Sequence, residues 1–126
     1  NADLRDADLV GSSFRFAKFY EAKFDRANLR GVDFKFADMR GAQLACAKNL
    51  DAAVGRRASE LDPMPANTLI IPFLVDEKTP LPKGVAGFRC FETAVVKNVA
   101  DPPRGCNLST EPLFIVGKGE ADCSGP

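Results

Sequence analysis

Through the first 48 residues, an apolar side chain returns at every fifth position. The segments NADLR, DADLV, GSSFR, FAKFY, EAKFD, RANLR, GVDFK, FADMR and GAQLA align Leu4, Leu9, Phe14, Phe19, Phe24, Leu29, Phe34, Met39 and Leu44 in one column. Two residues before each stands a small side chain: Ala2, Ala7, Ser12, Ala17, Ala22, Ala27, Val32, Ala37 and Ala42, continued by Ala47. The other places are mostly polar or glycine. An interval of five fits neither the two-residue alternation of a strand nor the 3.6-residue period of a helix. Self-similarity at a fixed period signals a repeat architecture and outranks local propensity.

The motif in Ala2-Asp3-Leu4, Ala7-Asp8-Leu9 and Ala27-Asn28-Leu29 resembles the pentapeptide-repeat proteins over residues 1–49. The resemblance implies an all-β fold, a right-handed quadrilateral β-helix with one pentapeptide per side and four per coil. Both columns would then point inward, and residues twenty apart would stack: Leu4 with Phe24 and Leu44, Leu9 with Leu29, Phe14 with Phe34, and Phe19 with Met39. Ten pentapeptides make about 2.5 coils, a stack roughly 12 Å tall at the spacing of hydrogen-bonded strands. The repeat is in register from Asn1, which leaves room for further repeats upstream. Open solenoid ends require caps.

The apolar residue arrives one place late at Cys46-Ala47-Lys48-Asn49-Leu50, where the pattern breaks. Residues 50–62 read as a short capping helix, with Asp51 at its start and Leu50, Val54, Ala58 and Leu61 on one face. Residues 63–126 hold all nine prolines and no repeat. They read as an irregular β/loop appendage packed on the solenoid, since so short and proline-rich a segment makes a poor core alone. Strands are expected at Leu69–Val75, Phe88–Val96 and Leu113–Val116. Pro72 restricts the first to a sheet edge or an extended segment.

The chain carries 17 basic and 17 acidic residues, and no histidine or tryptophan. No basic stripe points to nucleic acid, no run of 18 apolar residues points to membrane insertion, and no glycine-rich phosphate loop is present. Without histidine the commonest general base and metal ligand is missing. Asp3, Asp8, Asp33 and Asp38 precede inward residues and are expected to form a hydrated wall. No catalytic, cofactor-binding or metal site is expected, and a small-molecule ligand is not indicated.

Cys46, Cys90, Cys106 and Cys123 form no C-x-x-C pair, which argues against zinc. In a loop-rich segment they suit disulfides and an oxidising compartment; the alternative is four reduced thiols in a cytosolic protein. The connectivity stays open. Asn107-Leu108-Ser109 is a glycosylation sequon that matters only on a eukaryotic secretory route.

Phe16 and Phe36 stand outside both columns, twenty residues apart, and are expected to stack on the outer wall with Tyr20 further along it. Either the Leu69–Val75 or Phe88–Phe91 segment folds over them, or they form a docking stripe for a partner. The function read from the sequence is a non-catalytic interaction module. It would be an accessory or scaffold subunit docking on a larger, membrane-associated or photosynthetic complex from an exported compartment such as the thylakoid lumen or periplasm. The alternatives are a DNA-mimicking topoisomerase-protection protein, a role known in the family, and an enzyme with an unlocated site. A DNA mimic would want a long acidic rod, whereas residues 1–48 carry nine basic and seven acidic side chains.

Overall fold

The computed structural model describes residues 2–89 and 114–119. Its first half is set by turns. The amide of Ala7 donates to the carbonyl of Leu4, and the same bond recurs every five residues through Ala42 to Met39, at 2.9–3.2 Å. The third residue of each such turn has positive φ: Asp6, Gly11, Phe16, Glu21, Arg26, Gly31, Phe36 and Gly41. Positive φ there and not at the preceding residue is the mark of a type II turn. Each pentapeptide is therefore a three-residue extended side followed by a corner.

Between corners the sides pair in parallel with partners twenty residues on: Asp3 with Lys23, Asp8 with Asn28, Ser13 with Asp33, Lys18 with Asp38, Lys23 with Gln43 and Asn28 with Lys48. Four pentapeptides thus separate one coil from the next. The nine residues of the large column all reach the interior. Phe24, Leu29, Phe34, Met39 and Leu44 are fully buried, while Leu4, Leu9, Phe14 and Phe19 of the first coil are half-buried against them. Phe34 packs edge-on to Phe24, with ring centroids 6.0 Å apart, and stacks on Phe14 at 5.9 Å.

The Asp or Asn before the inward residue also has a mechanical role. Its side-chain oxygen accepts the amide two residues on, as in Asp3 to Arg5 (3.1 Å), Asp8 to Val10 (3.3 Å), Asn28 to Arg30 (3.3 Å) and Asp33 to Lys35 (3.0 Å). That bond satisfies a donor that the coil-to-coil ladder leaves pointing outward. The expected hydrated wall holds only in part. Asp3 and Asp8 are exposed, but Asp33 is bound by Arg15 at 2.6 Å and Asp38 is buried.

The helix expected over 50–62 does not form. Leu50–Ala52 make one 3-10 turn, and Arg56–Arg57 are already a strand, β1. Leu50 and Ala58 are buried, but Val54 is 47% and Leu61 96% exposed, so the four residues share no face. The backbone instead continues the ladder: Gly31 donates to the Ala52 carbonyl and Val54 to that of Val32, both at 2.9 Å. These bonds to the previous coil satisfy backbone groups that a helix lying across the end would leave unpaired.

Beyond β1 come β2 (Leu69–Leu74), β3 (Val85–Phe88) and β4 (Phe114–Val116), a sheet in the order β1-β2-β3-β4. β2 pairs antiparallel with β1 and parallel with β3, and β3 pairs antiparallel with β4. β2 is an interior strand, contrary to the edge position that Pro72 suggested. One of its edges is shared: Leu69 and Ile70 pair with β1, whereas Leu74 bridges Asp38 of the repeat. The Pro72 carbonyl accepts from Phe36 (2.6 Å), so the amide hydrogen Pro72 lacks would point into the gap between those two partners. The pairing with β3 shifts register between Ile70 and Leu74, absorbing the irregularity. Of the strand expected at Phe88–Val96, Phe88 ends β3 and residues 90–96 lie outside the described residues.

Two cores result. The larger joins the inward columns to Leu69, Ile71, Phe73, Val75, Leu81 and Val85, with Phe73 5.8 Å from Phe34. The smaller, on the other face of the sheet, gathers Ala58, Ile70 and Ala86 under Met64, Phe88, Phe114 and Val116.

Candidate protein-interaction surface

The corner between the third and fourth sides of each coil carries an aromatic residue: Phe16 in the first coil, Phe36 in the second. Their rings lie 5.3 Å apart at 42° on the outer wall. Phe16 is 47% and Tyr20 53% exposed. Phe36 is half-buried, with the Lys35 ammonium 5.3 Å from its ring centre, and its amide is bound to Pro72 of β2. The Arg40 guanidinium sits 6.0 Å from the Tyr20 ring. Cations at these distances complement the negative ring faces. The sequence did not single out Lys35 and Arg40; their places twenty residues after Arg15 and Tyr20 were the available signal.

Backbone geometry makes the two phenylalanines unusual. A bulky residue at positive φ is uncommon, and the left-handed conformation costs about 1–2 kcal/mol outside glycine. Gly11, Gly31 and Gly41 occupy equivalent corners, so the fold accepts glycine there. At Phe16 and Phe36 the chain carries a strained aromatic residue on its outer wall instead, and strain of this kind clusters where side chains have work to do.

The neighbouring wall is held by ion pairs. Arg40 binds both carboxylate oxygens of Asp38 (2.9 and 2.7 Å), with the two side chains only 13% and 11% exposed beside β2. Arg26 joins Asp6 across coils at 2.7 Å, and its hydrogen bond holds the Asp6 carboxyl below the ordinary carboxylate range. Asp33 is lowered likewise: burial pushes its pKa up, but the Arg15 and Lys35 hydrogen bonds outweigh it. Where the repeat ends, Asp76 and Thr79 clamp Gly41, whose amide meets the Thr79 hydroxyl at 2.9 Å and Asp76 Oδ1 at 3.2 Å.

A second apolar projection is Leu61, at the tip of the loop between β1 and β2. Arg56 grips both oxygens of Asp62 (3.0 and 2.9 Å), which also accepts the Ser59 amide at 2.8 Å. These bonds depress the Asp62 pKa strongly, the Arg56 contact most.

Among the described residues no group of three or more Cys, Asp or Glu side chains could hold a metal ion. No described helix is long and apolar enough to cross a membrane. Cys46 is disulfide-bonded. Cys90, Cys106, Cys123 and the Asn107 sequon lie outside the described residues, and the disulfides expected among these cysteines lie outside them too.

A family model described as pentapeptide repeats matches residues 1–35 and 18–48, with eight copies of the repeat. No curated protein and no solved structure matches the chain. The match coincides with the turn-and-side pattern and gives the segment the character of a non-enzymatic protein-interaction module. Residues 1–48 of this chain are thus similar to the pentapeptide repeats, and the match does not extend to the residues after them.

Proposed function

We propose that the chain is a non-catalytic accessory or scaffold subunit, docking on a larger protein assembly through the Phe16–Phe36–Tyr20 wall. The observation that carries this is the pair of stacked aromatic residues kept at strained outer corners, where three of the other six corners use glycine and three use charged residues. Aromatic anchors flanked by cations dominate the energetics of many interfaces, and a rigid wall presents them without an ordering cost. The right-handed, four-sided winding, the count of about 2.5 coils and the role of the later residues as a cap belong to this same reading. They are supported by the twenty-residue bridging period and the bonds from Ala52, Pro72 and Leu74 to the last coil.

An exported, oxidising compartment, thylakoid lumen or periplasm, is part of the proposal, supported by the engagement of Cys46 in a disulfide. The DNA-mimic alternative is weaker because arginines neutralise the carboxylates along the wall, at Asp6, Asp33 and Asp38.

A photo-crosslinking amino acid at Phe16, compared with one at Lys23 two sides away, tests the assignment in extracts of the native source. The Phe16 probe should give one discrete protein adduct, identified by mass spectrometry as a subunit of an assembly, and the Lys23 probe should not. Equal labelling from both positions, or none, would refute it.

A further inference from the structure

The loop from Ala58 to Thr68, between β1 and β2, is built as a rigid tip. The Ala58 amide donates to the Thr68 carbonyl at 2.7 Å, and the Asn67 amide returns to the Ala58 carbonyl at 3.1 Å, closing the loop at its base. Above that closure the Asp62 amide donates to the Ser59 carbonyl and the Leu61 amide to the Ser59 hydroxyl. Leu61 is therefore presented almost wholly exposed on an ordered turn. Glu60 beside it is exposed as well and, unlike Asp62, meets no cation among the described residues.

A lone exposed leucine is ordinary on a protein surface, but this one stands at the same end of the sheet as a groove of opposite character. The groove has a volume of about 410 Å³; Ala66, Thr68, Gly84 and Val116 line it, and Lys83 and Lys118 stand on its rim. Its walls are held by the backbone. The Leu69 amide donates to the Gly84 carbonyl at 2.8 Å, the Gly117 amide to that of Val85 at 2.7 Å, and the Thr68 hydroxyl to that of Pro65 at 2.7 Å. Among the described residues no acidic side chain lines the groove, and neither lysine pairs with a carboxylate.

We infer that the groove receives the Glu60–Leu61 tip of a second copy of the chain, and that the exchange is reciprocal. Leu61 does not fill the groove of its own copy, since it is 96% exposed. Residues 65–68 are at once the returning arm of the loop and one wall of the groove, so tip and groove lie side by side. A two-fold axis through that arm lets each copy seat its Leu61 against the other's Ala66 and Val116, and such an isologous contact closes at two copies. Charge selects the same pairing: the unpaired Glu60 carboxylate arrives at the two unpaired lysines of the rim. Tip and groove are both formed beforehand, so little ordering opposes the association.

Sedimentation equilibrium of the 126-residue protein tests this, with the 13.6 kDa chain passing to twice its mass as concentration rises. The contact is small even when made twice, so the midpoint should fall at micromolar concentrations or above. Leu61→Ser removes an anchor at two points and should weaken the dimer about a hundredfold, roughly tenfold at each. Ala66→Arg fills the groove and should do the same. Both positions are exposed, so circular dichroism and Tm should match those of the parent chain. Glu60→Lys meets the rim lysines with a like charge and should weaken the dimer about tenfold; adding Lys83→Glu and Lys118→Glu to it should recover that loss. A monomer at every concentration up to about 1 mM would leave the groove to another segment or another protein and overturn the inference. A dimer indifferent to Leu61→Ser or to Ala66→Arg, or a triple variant that fails to recover, would overturn it too. The aromatic wall takes no part in these variants, so its crosslinks test the partner-docking reading separately.

Discussion

Phe73→Ala asks whether the repeat and the later strands fold as one unit. Phe73 is fully buried on β2, 5.8 Å from Phe34, which itself touches Phe14, Phe19 and Phe24. Truncating a buried phenylalanine costs about 3–5 kcal/mol, the lost transfer energy plus the cavity. Against the roughly 5–15 kcal/mol that holds a domain of ordinary stability, that is a large fraction, and it should lower Tm by roughly 10–20 °C. Because the ring fills the top of the solenoid core, the loss should fall on both halves together. Urea unfolding followed by circular dichroism should stay a single transition with an unchanged m-value and a lower midpoint. Native-state hydrogen exchange should show the amides of Phe24, Leu29 and Met39 losing protection in step with those of β3. If the repeat amides keep their protection while β2 and β3 open, or if two transitions appear, the shared core is not what stabilises the solenoid.

Gly31→Ala should cost about 1 kcal/mol or more although its added methyl has room, 3.7 Å from the nearest Gly11 atoms, because φ is +68°; Phe16→Gly, at an equivalent corner, should not lower Tm in parallel thermal melts. Asp38→Ala leaves the mostly buried Arg40 without its bidentate carboxylate and should destabilise by about 3 kcal/mol in chemical denaturation. Asp6 and Asp33 titrate below the ordinary 3.8 in the folded protein. Their stabilisation is therefore full above that value and lost as pH falls through the lower folded pKa, so Tm should be flat near neutrality and drop in acid; a Tm that rises on acidification would contradict the ion pairs. Reductant should lower Tm by opening the Cys46 bridge, and Cys46→Ser should reproduce the shift without reductant; equal melts with and without reductant would show that the bridge constrains little.

The repeat was legible because each coil satisfies its own rules with its own residues. A five-residue spacing, a small and a large column, and an Asp or Asn before the large one are local consequences of a side and a corner. The segment over residues 50–62 was not legible because its structure answers to a template elsewhere in the chain. Leu50, Val54, Ala58 and Leu61 carry helical spacing, yet residues 52–54 bond to Gly31 and Val32, a preference no window over 50–62 contains. Pro72 misled for the same reason. It sits inside a sheet because its missing donor falls between two partners that sequence could not place on one edge. Asp38 was expected in water, and its burial follows from β2 lying along its side. The aromatic pair at Phe16 and Phe36 was visible as a mismatch to the columns; the strain that sets it apart from the glycine corners was not.

The ladder between the last coil and the later strands constrains how such a protein can change length. Phe36 and Met39 bond to Pro72 and Leu74, and Leu44 bonds to Pro80 at 3.2 Å, so the carboxy-terminal sheet is keyed to particular sides. Adding one pentapeptide between Phe16 and Phe36 would turn that sheet by one side relative to the first coil and move Phe16 away from Phe36. Adding twenty residues would raise it by one storey and leave every side chain on the same face. Growth by whole coils is therefore silent to the wall, whereas growth by single repeats rewrites which side chains share a face.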